Sequence, residues 1–206
     1  MNEVKIVNKL WAILLLSILI VGCGGFRSTR NIIAVPSEEI TILKRTKGAA
    51  MTKNNISVAA IYLSDVKQLD GFGVVIVNET SNWIPIKQEE CMLVQNGEVR
   101  HPIENTLALA RLGSGYKPKM PNELSVDVYE WHKDINTRKS SVSSVNAKVV
   151  DEGKKLSIIA GSKENIFLYF NNQGNTAPMQ LLIPNIYNET TKERTSFSFK
   201  FEVQKK

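Results

Sequence analysis

Two cysteines, two histidines and three tryptophans are all that the 206-residue chain holds of three residue types on which redox, metal and aromatic-platform chemistry often depends. Cys23 lies at the end of an amino-terminal apolar run, so the remainder of the chain keeps Cys91 alone, and a single thiol forms no disulfide within it. Cys91 sits in Glu90-Cys91-Met92-Leu93-Val94, the setting of a small buried hydrophobe. His101 and His132 are far apart, with no second cysteine at ligand spacing, which argues against a structural zinc site; no metal or other cofactor is expected. Gly113-Ser114-Gly115 lacks the glycine spacing of a phosphate-binding loop. Basic residues are dispersed rather than clustered, and no nucleic-acid motif is present, so no nucleic-acid partner is expected.

Long apolar runs are also scarce. The run from Leu10 to Gly22 is 13 residues long, short of the roughly 20 that a membrane-spanning helix needs. Lys5 and Lys9 precede it, and this arrangement reads as a secretory signal that is removed. Its last residues, Ile20-Val21-Gly22-Cys23, resemble a bacterial lipobox. The resemblance implies cleavage before Cys23, a diacylglyceryl thioether on its sulfur and acylation of the new amino terminus. It also implies a cell-envelope protein joined to the membrane through lipid on Cys23. With Gly24 rather than aspartate following, a Gram-negative host would send it to the outer membrane. Three parts follow: a signal at 1–22, a lipidated tether at 23–31 that is small and polar, and a folded body at 32–206. Loss of Lys5, Lys9 and Glu3 with the signal takes the net charge from +6 to +5, a balance that favours anionic neighbours such as lipid phosphates or cell-wall polymers.

From Ile32 onward the pattern is that of strands. Glu39–Lys44 alternates, and Ile56–Leu63 is rich in apolar and β-branched residues. Val74-Val75-Ile76-Val77 is apolar on both faces and reads as a central strand, closed by a turn at Asn78–Asn82. Pro85 places Trp83–Ile86 at an edge or a strand switch. Asn96-Gly97 between Cys91–Gln95 and Glu98–Arg100 is the signal of a type I′ hairpin. Three further strands follow over Leu156–Ile159, Ile166–Phe170 and Leu181–Tyr187. In a final strand over Phe197–Val203, Phe197, Phe199, Phe201 and Val203 point inward against Ser198, Lys200 and Glu202, and each contributes roughly 1.5–3 kcal/mol on burial.

One segment reads two ways. Leu124, Val128, Trp131 and Ile135 fall on one helical face, with Asn122 as cap, while Leu124, Val126 and Val128 alternate as a strand. The helix is preferred because its spacing continues to Ile135 and resumes at Val142, Val145 and Val149. Arg138–Asn146 is serine-rich. The expected fold is therefore mainly β: an antiparallel sandwich with one helical or mobile insertion over about 122–150. The order of strands and turns in 32–206 resembles the immunoglobulin-like domains of bacterial surface and periplasmic proteins, without their Cys-Trp-Cys signature.

The loop Gly113–Pro121, punctuated by two glycines and two prolines, offers Tyr116, Lys117 and Lys119 for contact with a partner. Asn55, Asn78 and Asn188 match glycosylation sequons but serve as turn residues in a bacterial lipoprotein. Glu38-Glu39 and Glu89-Glu90 are neighbours that point to opposite faces of a strand, so neither pair converges on a substrate. These features predict a lipid-anchored binding or structural module for an envelope protein or glycan, and not an enzyme. A periplasmic carrier of a small ligand or metal is the second reading. A hydrolase using Ser114 with His101 or His132 is the third.

Overall fold

The computed structural model describes residues 31–66, 68–113, 115–136, 148–150, 155–188 and 191–204. The signal, Cys23, Ser114 and the whole serine-rich stretch Arg138–Asn146, with Val142 and Val145, lie outside them. The chain is mainly β with antiparallel sheets. In order, the strands are β1 (Ile32–Ala34), β2 (Thr41–Ile42), β3 (Ala49–Lys53), β4 (Ile56–Leu63), β5 (Leu69–Asn78), β6 (Ile84–Lys87), β7 (Met92–Gln95), β8 (Glu98–Arg100), β9 (Lys148–Val150), β10 (Lys155–Ile158), β11 (Lys163–Asn171), β12 (Met179–Tyr187) and β13 (Arg194–Val203). Two helices, α1 (Asn105–Leu112) and α2 (Asn122–Asn136), stand between β8 and β9.

One five-stranded sheet has the order β1-β13-β12-β7-β8, the other β11-β5-β4-β3-β2, and a small sheet β6-β10-β9 flanks them. The inward faces of all three meet in one core, in which Phe197, Phe199 and Phe201 of β13 are buried as their alternation predicts. Phe72 of β5 bridges the sheets, its ring 5.2 Å from that of Phe201 and 6.0 Å from that of Phe170. Edge-on and tilted contacts of this kind add to the area buried.

A second core lies on the other face of the β5 sheet. Ala59, Ile61, Val75, Val77 and Tyr169 pack there against Leu124, Val128 and Trp131 of α2 and Ala108 of α1. The molecule thus has three layers: sheet, sheet and helices. This explains why all ten residues of β5 are buried, since the strand is flanked by β11 and β4 and covered on both faces.

Several expectations hold. Asn96 (φ 52°) and Gly97 (φ 80°) form the hairpin turn, pairing Gln95 with Glu98 and Leu93 with Arg100. Pro85 lies in β6 at an edge of the small sheet. α2 is a helix, and Val126, 43 % exposed, rules out the alternating strand. Three expectations need correction. Val149 is in a strand paired with Ser157, not on a continued helical face, because the chain there adds to β10. The Glu39–Lys44 strand shrinks to Thr41–Ile42, since the Leu43 amide turns to donate to the Gly48 carbonyl, closing a tight loop. Asn122 is the first residue of α2 rather than a cap before it. The helical layer also begins earlier than foreseen, at Asn105.

Candidate functional site

The helical layer carries the exposed groups best suited to contact. α2 is held from beneath by Leu124, Val128 and Trp131, and from the side by one carboxylate. Asp127 accepts hydrogen bonds from the amides of Thr46 (2.9 Å) and Arg45 (3.1 Å), from the Thr46 hydroxyl (2.9 Å) and from the Arg45 guanidinium (3.3 Å). Burial would raise this carboxyl, but the four donors outweigh it and hold Asp127 below the ordinary aspartate range. Arg45 also reaches Glu130 in a two-pronged pair at 2.7 and 2.8 Å, on the exposed side. The outward face of the helix is thereby immobilised with Val126 43 % and Tyr129 68 % exposed, one turn apart. Leu107 on α1 is also exposed, and Gly113 (φ 102°) ends that helix with its amide donating to the Leu109 carbonyl.

The Gly113–Pro121 loop lies along the same layer. Tyr116 is half-buried and packs into the second core, where its hydroxyl approaches that of Tyr169; burial raises the ionisation of both. Lys117 and Lys119 are exposed, so the loop presents its two lysines and turns its tyrosine inward. Met120 is also inward. It occupies the space left by the missing side chain of Gly73, where an added Cβ would meet its sulfur at 2.6 Å.

Two polar clusters lie elsewhere. Beside α2, Glu79 accepts a hydrogen bond from Ser57 (3.2 Å) and faces His132 Nε2 at 3.7 Å, while Ser57 bonds Thr52 at 2.8 Å. The carboxylate stands between serine and imidazole, whereas serine activation needs the imidazole on the hydroxyl. This cluster joins helix to sheet. At the end of the sandwich where β1 enters, Asp70 and Arg100 form an ion pair at 2.9 Å with side chains only 2 % and 11 % exposed. Asn172 and Tyr62 donate to the same carboxylate at 2.9 and 3.3 Å, and Arg100 donates to Gln95 at 2.7 Å. These bonds close the open end of the sheets.

His101 is exposed near the Glu89 carbonyl. Cys91 is buried, and desolvation together with Glu89 and Glu90 pushes its thiol up to about 12. Among the described residues no group of three or more His, Cys, Asp or Glu is placed to hold a metal ion. Cys23 and Ser114 lie outside the described residues. The Asp127 lock and the Asp70–Arg100 pair escape sequence reading, because each joins positions far apart in the chain. The outward face was not singled out in the sequence either; the one signal for it is the helical phase of Val126 and Tyr129, off the Leu124–Val128–Trp131 stripe.

Comparison with protein-family models, curated proteins and solved structures finds no match to this chain.

Proposed function

We propose that the protein is a lipid-anchored cell-envelope module. Lipid on Cys23 holds it at the membrane, and an immunoglobulin-like sandwich, enlarged by the helical layer and the small sheet, presents that layer to an envelope protein or glycan. The observation that carries this reading is the clamping of α2 by Asp127 beneath an exposed Val126 and Tyr129. An aromatic side chain held on a rigid element loses little freedom on binding, which is the setting in which a few residues dominate an interface. Exposed Lys117 and Lys119 border the same layer and add positive charge. The carrier reading is less favoured because the space between the sheets is filled by Phe72, Phe170, Phe197, Phe199 and Phe201. A catalytic role is less favoured because the one cluster bringing a described serine near a histidine has the carboxylate between them.

Site-specific photo-cross-linking in intact cells tests the reading. A photoreactive residue at Tyr129 is expected to give a discrete adduct that Val126→Glu abolishes, and the same residue at Lys192, on the β12–β13 connection, is expected to give none. Identical patterns at the two positions, or no adduct at Tyr129, contradict it.

A further inference from the structure

The two outer faces of the sandwich differ. That of the β5 sheet is roofed by α1 and α2, whereas among the described residues no element covers that of the β1-β13-β12-β7-β8 sheet. The open face is not evenly polar. Val94 lies opposite Val99, Met92 lies opposite Leu182, and Pro184 follows two residues along β12. Each points away from the core; Met92, Val94, Leu182 and Pro184 are half-buried and Val99 is 55 % exposed. Together they make an apolar stripe along the sheet.

What covers the stripe is indicated by where the chain enters. β1 is the edge strand of this same sheet, with Ile33 facing outward opposite Glu202. The eight residues from Gly24 to Asn31 precede it, a reach of at most roughly 27 Å when extended. We propose that this open face lies on the surface of the lipid bilayer in which Cys23 is anchored; the inference rests on the lipid-anchor reading above.

The physical case is one of local concentration. A short tether holds the face at an effective concentration of about millimolar against the bilayer, so contacts too weak to recruit a free protein are enough to orient a tethered one. The charges suit anionic headgroups: the outward side of β13 carries Arg194, Lys200 and Glu202, and the outward sides of β7 and β12 carry none. A second copy fits less well. Five strands about 4.8 Å apart and on average roughly 20 Å long give roughly 960 Å² from both copies, below the roughly 1,200 Å² of a stable interface.

The test uses the full lipidated chain in vesicles of phosphatidylethanolamine and phosphatidylglycerol, with an environment-sensitive dye on Val99→Cys or, separately, on Tyr129→Cys. Both positions are exposed, so neither substitution disturbs a core, and buried Cys91 does not compete for the dye. A quencher carried on the lipid chains is expected to remove roughly half of the emission at position 99 and little at position 129, since an interfacial face sits at the headgroup boundary. Equal, weak quenching at both positions, with acylated Cys23 found by mass in the same sample, overturns the inference and leaves the anchor standing. Shielding at position 99 that needs no lipid quencher and grows with protein concentration points to a second copy and also overturns it. Absence of lipid on Cys23 removes the anchor reading, and this inference falls with it.

Discussion

Asp127 and Thr46, 81 positions apart, are joined by two hydrogen bonds of 2.9 Å, one from the Thr46 amide and one from its hydroxyl. The carboxylate is almost wholly buried, and it ties α2 to the turn before β3, beside Leu43 of the second core. Removing it leaves two backbone amides facing a void. Asp127→Ala is expected to lower the free energy of unfolding by about 2–4 kcal/mol, read by urea denaturation. A loss within about 0.5 kcal/mol, as for an ordinary surface change, contradicts the lock.

The same carboxylate makes stability depend on pH in a known direction. Its ionisation lies lower in the folded chain than in the unfolded one, where it is near 3.9. Its contribution is therefore complete above about pH 5 and is lost as pH falls through the folded value. The stability difference between the native chain and Asp127→Asn is expected to be flat from about pH 5 to 7 and to shrink below about pH 4. A difference that grows on acidification reverses the sign and contradicts the assignment.

Asp70 and Arg100 give a second test of the architecture. Breaking a buried pair leaves the surviving charge uncompensated, so Asp70→Asn or Arg100→Met is expected to cost about 3–5 kcal/mol. The double variant is expected to cost less than the two losses added, because the second change removes the orphaned group. Strict additivity in thermal or denaturant unfolding contradicts a direct pair.

Cys91 is expected to be silent toward thiol reagents. With its thiol pushed up to about 12 and its side chain buried among Ile84, Ile86 and Leu93, the native protein at pH near 8 holds almost no accessible thiolate. A disulfide reagent is expected to react only after denaturant is added. Rapid reaction of the folded chain places the sulfur at the surface and contradicts the packing.

How much of this was legible in the sequence depends on the range of the interaction. The Asn96-Gly97 hairpin, the apolar β5 and the alternating phenylalanines of β13 are local patterns with one physical solution, and they appear as expected. The helix at 122–136 was legible through its stripe of Leu124, Val128 and Trp131. α1 was not, because Ala108 is its one fully buried residue and Leu107 faces solvent, leaving little periodicity to read. The inward turn of Tyr116 was hidden for another reason: glycine and proline mark a loop but not the face it packs on. Asn78 illustrates the converse. It matches a glycosylation sequon, yet its side chain is buried, donating to the Asn82 and Ile158 carbonyls at 2.7 and 2.8 Å, so it serves the turn as expected.

The measurement that bears most directly on the account is the mass of the amino-terminal peptide of the protein recovered from the membrane fraction. The account predicts that the peptide begins at Cys23 and carries a diacylglyceryl group on the sulfur and an acyl chain on the amine. A peptide that begins elsewhere, or an unmodified Cys23 on a chain recovered in the soluble fraction, contradicts it.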